Sequence, residues 1–207
     1  MTSQKQKNCI AISFFLACLL LTGCGTTPPS QYYMLNSIPQ ASIKNPQNQG
    51  ETKVHIGVGP ITIPKYLDRY AIVKRSNGAE VVINDMHRWA EPLADNFTRV
   101  LANNLYLLTG ASEISIHPWR NANELDYQVV IDVQRFDADL NNSVALSAHW
   151  TIYGKDGKKS LYKQKTIFRD KASSGDYATL VSAQSKATEK LSREIADKLK
   201  EIIAQEN

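Results

Sequence analysis

The feature that most limits this chain is a short apolar run near its start. Residues 9–21 carry no charge and follow a polar, basic lead that contains Lys5 and Lys7. A helix needs roughly 20 apolar residues to cross a bilayer, so the run fits the centre of a secretory signal better than a permanent span. The folded unit must therefore be sought after it. Lys5 and Lys7 also supply two of the 24 basic residues that set a formal charge of +4 against 20 acids. The remaining chain is close to neutral, which leaves no electrostatic footprint for nucleic acid.

The run closes on Leu21-Thr22-Gly23-Cys24. A large aliphatic residue, a small polar one, a glycine and then cysteine resemble the bacterial lipobox, in which a diacylglyceryl group is attached to the cysteine thiol and the chain is cut just before that cysteine, here between Gly23 and Cys24. Residues 1–23 then form a lipoprotein signal peptide, and Cys24 carries diacylglycerol and palmitate. Cys9 and Cys18 leave with the signal, so the mature chain has no free thiol, no disulfide and no thiolate ligands. Its fold has to rest on packing. As in other bacterial lipoproteins, a mature start of Cys24-Gly25 without aspartate implies sorting to the outer membrane.

Residues 24–52 are read as a lipidated, flexible linker, Pro-rich at first, with one strand-like patch at Tyr32-Tyr33-Met34-Leu35. The compact domain is expected over residues 53–207. Val54, Ile56 and Val58 alternate as a strand that stops at Gly59-Pro60. Residues 71–76 and 79–83 flank Asn77-Gly78, the pair favoured where both central turn residues need positive φ, which predicts a β-hairpin. Pro92 is expected at the first helical position of a helix whose stripe is Leu93, Phe97, Val100, Leu101, Leu105 and Leu108, stopped by Gly110. A short strand at residues 113–117 and an antiparallel meander of three strands follow. The chain ends in a long helix striped by Leu180, Ala187, Leu191, Ile195, Leu199 and Ile202, with Glu189–Arg193 and Glu194–Lys198 as exposed pairs. This order predicts an α+β fold: a largely antiparallel or mixed sheet with two main helices packed on one face.

Catalytic patterns are missing. His55, His87, His117 and His149 are scattered without metal spacing, and no nucleophile elbow or phosphate loop occurs. Asp137 and Asp139 share a strand face but read as solvated acids at a strand end. The expectation is a protein that is not an enzyme, with no cofactor and no metal. Two stretches remain unusual. In the first, Pro64 follows Pro60 by four residues and leads into Tyr66, Leu67, Asp68 and Arg69. Two fixed φ angles stiffen it, so it suits either a partner contact, with Tyr66 and Leu67 exposed, or a proline-bounded edge. In the second, Arg88 and Trp89 precede Pro92, and they suit either an interface or packing against the helix start.

These residues together resemble the ABC-type transport auxiliary lipoprotein family, in its membrane-integrity-associated, paraquat-inducible branch. The resemblance rests on the box ending at Cys24, Tyr32-Tyr33-Met34-Leu35, the run from Val58 through Pro64-Lys65-Tyr66-Leu67-Asp68-Arg69, and Arg88-Trp89-Ala90-Glu91-Pro92-Leu93. It implies an outer-membrane lipoprotein facing the periplasm, a homo-oligomer, and a non-catalytic component of a mammalian-cell-entry (MCE) type transporter that moves lipid. Pro64, Tyr66, Leu67, Asp68, Arg69, Arg88 and Trp89 are then the candidate contacts with the MCE partner. The rival is a lipoprotein that activates or assembles another envelope machine, such as a peptidoglycan synthase or a secretion system.

Overall fold

A computed structural model describes residues 29–42, 52–76 and 79–206. Gly23, Cys24 and the turn pair Asn77-Gly78 lie outside them. β-Branched and aromatic residues, which suit a pleated and half-buried surface, mark strands β1 (Gln31–Tyr33), β2 (Thr52–Thr62), β3 (Ala71–Arg75) and β4 (Val81–Trp89). Then come helix α1 (Leu93–Thr109), β5 (Ala111–Ile116), β6 (Tyr127–Asp139), β7 (Ser143–Tyr153), β8 (Ser160–Lys171) and helix α2 (Tyr177–Glu206).

Among the described residues the eight strands form one mixed sheet. Strand β6 is its organiser. One edge pairs antiparallel with β7 along almost its whole length, and β7 pairs antiparallel with β8, which completes the expected meander. The other edge is shared end to end: β2 pairs with it in parallel from Tyr127 to Asp132, and β3 takes Ala138 and Asp139. Residues 63–70 must leave the sheet between those two pairings and return. On the far side of β3 come β4 and then β1, while β5 flanks β2.

Both helices cover one face. Phe97, Leu101 and Leu105 of α1 meet Leu191, Ile195 and Leu199 of α2 in a single core with Ile56, Val129, Ile131, Leu146 and Trp150. Those stripes are the ones that helical periodicity marks out, apart from the partly buried Leu108 and Ile202. Gly110 ends α1 at φ 69°, with its N–H on the Tyr106 carbonyl, as a left-handed cap should. Pro92 sits one place earlier than expected, at the N-cap, with ψ 131° and its carbonyl accepting the Asn96 N–H.

Three other expectations are corrected. First, β2 does not stop at Gly59-Pro60. Its pairing with β6 slips by a residue between Val58 and Ile61, so the Gly-Pro step is absorbed as a bulge. Gly59 has φ 119°, and a Cβ there would lie 2.7 Å from His117 Cβ, so glycine is required. Second, the segment read as linker is already part of the domain at Gln31. Leu35 and Ile38 are buried, and the Leu35 and Ile38 amides donate to Asn96 Oδ1 (2.7 Å) and Asn104 Oδ1 (2.9 Å) of α1. Asn36 N–H reaches Ser185 Oγ on α2 at 3.0 Å. Leu35, Asn36 and Ile38 are thus pinned to the two helices by polar side chains that satisfy their backbone amides. Third, Glu194 does not serve as the partner of Lys198. It accepts from Thr166 and Gln164, while Lys198 pairs with Glu201. Glu189 and Arg193 do pair, at 2.8 Å.

Candidate functional site: a latched loop beside the sheet edge

Residues 63–70 turn twice. The Leu67 and Asp68 amides donate to the Pro64 and Lys65 carbonyls at 2.9 and 3.2 Å, and the Arg69 amide donates to the Leu67 carbonyl at 2.8 Å. Within this loop the candidate residues separate into two groups. Leu67 is buried in the main core, contrary to the expectation of exposure, and Tyr66 and Pro64 are half-buried. Asp68 and Arg69 are exposed, and Asp68 makes only a solvent-facing pair with Lys65 at 3.7 Å. Of the two roles the sequence allows Trp89, the structure shows packing and not a free contact. It is buried in the core, closes β4 beside Tyr33 and donates its backbone N–H to the Tyr70 carbonyl at 2.7 Å. Arg88 is half-buried, with its guanidinium 5.9 Å from the Tyr70 ring.

What holds the loop is a residue that sequence reasoning passed over. Asp137 is fully buried, not a solvated strand-end acid. Its Oδ2 accepts from Tyr66 Oη at 2.6 Å and from Arg75 Nη2 at 3.3 Å, and its Oδ1 accepts from Arg135 Nε at 2.7 Å. Arg75 also donates to Tyr66 Oη at 3.3 Å and lies 5.5 Å from the centre of its ring. Burial pushes the Tyr66 phenol up to about 12, and the hydrogen bond to Asp137 adds to the shift. The network follows from a bulge in β6. Val133 faces Ala148 and Arg135 faces Ser147, so one extra residue on β6 reverses the parity. Beyond it, Phe136 points to the helices and meets Phe97 edge-on at 5.3 Å, and Asp137 points the other way.

This arrangement stores charge without offering chemistry. The acid is enclosed, both arginines are committed to it, and the tyrosine is held protonated. Elsewhere three of the four histidines are separately engaged, His117 with Trp119 edge-on at 5.0 Å among them. His55 Nε2 lies 2.8 Å from Ser115 Oγ, and His87 stacks on Tyr177 with ring centres 3.8 Å apart. Among the described residues no three His, Cys, Asp or Glu side chains converge on a metal site. None of the described helices is long and apolar enough to cross a membrane.

The family model for the ABC-type transport auxiliary lipoprotein component matches residues 33–196, well over half of the chain. The chain belongs to this family. The match begins at Tyr33, within the N-terminal segment that the fold pins to α1 and α2. A similar fold is seen in solved structures. Protein XCC0632 from Xanthomonas campestris aligns with a TM-score of 0.68 at 15% identity, covering 86% of this chain and 98% of that one. The crystal structure of an uncharacterized protein aligns with a TM-score of 0.67 at 18% identity, covering 83% of this chain and 99% of that one. At such identities the likeness is one of fold. A search of curated proteins finds no match.

Proposed function

We propose that this auxiliary lipoprotein, similar to paraquat-inducible protein C (PqiC), is held to the periplasmic face of the outer membrane by acyl chains on Cys24. There it acts as a non-catalytic docking component of an MCE-type ABC transport system that moves lipid between membranes and supports envelope integrity. It works as a homo-oligomer and receives the periplasmic MCE protein. The family match carries the reading, and the latched loop supports it. A rigid loop has little conformational entropy left to lose on binding, which is how preorganised surfaces gain affinity.

The latch also divides the motif by role. Pro64, Asp68 and Arg69 present the contact, whereas Tyr66, Leu67 and Trp89 hold it from beneath and Arg88 flanks it. Crosslinked recovery of the lipidated chain from membranes tests the reading. An MCE-family protein should be captured, and Asp68→Ala with Arg69→Ala should reduce its yield several-fold while leaving the fold intact. Capture of a peptidoglycan synthase or a secretion component instead would transfer the protein to the rival class. Replacing Cys24 with Ala should abolish palmitate labelling; labelling that persists would remove the anchor from the proposal.

A further inference from the structure

Two tyrosines and a methionine stand out on the surface near the start of the described chain. Tyr32 is 63% exposed, Tyr70 50% and Met34 44%. Single exposed apolar residues need no explanation, but these are grouped. Tyr32 pairs with Arg88 across β1 and β4, Arg88 pairs with Ala71 across β4 and β3, and the Arg88 guanidinium lies 5.9 Å from the Tyr70 ring. Neighbouring strands are ~4.8 Å apart, so the two tyrosines bracket one arginine within about 10 Å along a sheet edge. Of the other exposed apolar side chains, Val82 and Ile83 lie at the opposite end of β4, where they pair with Lys74 and Val73 of β3, and Ile116, Leu140 and Ile167 lie away from β1, β3 and β4.

The position of this group relative to Cys24 gives it meaning. Between Cys24 and Gln31 a fully extended chain reaches at most about 25 Å, at ~3.5 Å per residue. Helix α2, with 30 residues, is about 45 Å long at ~1.5 Å per residue. The tether is therefore shorter than the domain it holds, and the end of the domain that carries β1 must stay near the bilayer. That end also holds the first turn of α2, because Tyr177 stacks on His87 and Tyr33 Oη meets His87 Nδ1 at 2.8 Å. Tyrosine, with an apolar ring and a polar tip, is the residue type that settles at a membrane–water interface, and arginine beside it suits lipid phosphate.

We propose that Tyr32, Met34 and Tyr70 rest in the headgroup layer of the membrane that holds Cys24, with Arg88 between the tyrosines. The inference rests on the Cys24 anchor proposed above and adds an orientation to it. The first turn of α2 lies against the lipid, and its last turn, with Glu206, points into the periplasm.

The test uses the full lipidated chain in vesicles of phosphatidylethanolamine and phosphatidylglycerol. Once the signal is removed Cys24 is acylated, so a cysteine introduced as Tyr32→Cys, Met34→Cys, Tyr70→Cys or Ile167→Cys is a unique site for an environment-sensitive fluorophore. Labels at the first three positions should shift to the blue and lose iodide quenching several-fold relative to Ile167→Cys. With Tyr32→Ser and Tyr70→Ser together, flotation should persist while the Met34→Cys label becomes quenchable. Should the protein float with all labels equally quenched, the orientation is overturned and the anchor stands. A protein that does not float overturns both. Protection that appears only in native membranes, and not in pure lipid, overturns the proposal in favour of a protein partner.

Discussion

Leu191 and Asp137 are equally inaccessible to solvent, yet they secure opposite faces of one sheet by opposite means. On the helix face, apolar side chains from two helices and the sheet bury each other, and stability accumulates over area at ~25 cal/mol per Å². On the other face a single carboxylate gathers Tyr66, Arg75 and Arg135 and thereby fastens a loop 71 residues away in sequence. The first device is distributed and tolerates small changes in packing. The second is concentrated in one atom pair per partner, so it specifies geometry more than it adds stability.

The largest effect expected is on the distributed side. Leu191→Pro should unfold the domain, because proline in a helix interior costs ~3 kcal/mol or more and here it also disrupts the stripe that docks α2. Far-ultraviolet circular dichroism would show loss of helix well beyond one turn. A normally folded variant would mean that α2 is not needed by the core.

Asp137→Ala should come next, at about 3 kcal/mol, the low end for breaking a buried ion pair. The low end applies because Arg75 and Arg135 keep 29% and 30% of their side chains exposed and can turn to water once the acid is gone. Chemical denaturation measures the loss, and amide exchange at Leu67 and Asp68 should rise even where the helix face is unchanged. Uniform destabilisation with no local gain in loop exchange would show that the acid supports the sheet and not the loop.

Asn104→Ala probes a third device, at the N-terminal segment. It removes the acceptor for the buried Ile38 amide and the bond from Asn104 Nδ2 to Ser192 Oγ at 3.0 Å, so about 2 kcal/mol is expected from the unpaired donor. Amide exchange at Ile38 should accelerate first. If the segment stays protected, its attachment rests on Leu35 and Ile38 burial alone.

What could be read from the sequence follows the same division. Apolar stripes repeat at the helical or strand period, so the spacing of Phe97, Leu101, Leu191 and Ile195 alone marks the buried side of each helix. Asp137 carries no such mark. It shares odd parity with Tyr127, Val129, Ile131 and Val133, and only the extra residue in the β6 pairing with β7 turns it to the other face. A bulge is decided between strands and leaves no trace in one strand's own alternation. Asn96 and Asn104 are legible in part, as polar residues falling inside an apolar stripe, but the backbone they serve lies more than sixty positions upstream. The motif around Pro64 and Arg69 marks the loop that the acid holds, while the division between its buried and exposed side chains depends on that same distant residue.

Tyr66→Phe isolates the smallest part of the contrast, a single hydrogen bond to a buried charge, and should cost about 1.5 kcal/mol at neutral pH, the low end for a bond to a charged group. Its pH dependence carries more information than its size. The phenol titrates near 10 when unfolded and is pushed up to about 12 in the fold by burial and by donation to Asp137. A group whose pKa is raised by folding contributes fully below the unfolded value and loses that contribution as pH climbs through the folded one. The stability difference between the native chain and Tyr66→Phe should therefore be constant up to about pH 10 and shrink between pH 10 and 12, as the phenol of the unfolded chain ionises while the folded one still holds its proton on Asp137. Taking the difference removes the other raised tyrosines, Tyr33, Tyr127 and Tyr177, which titrate in both proteins. A difference that stays flat to pH 12 would mean that Tyr66 meets Asp137 through its ring environment and not through its proton, and the latch would then consist of the two arginines alone.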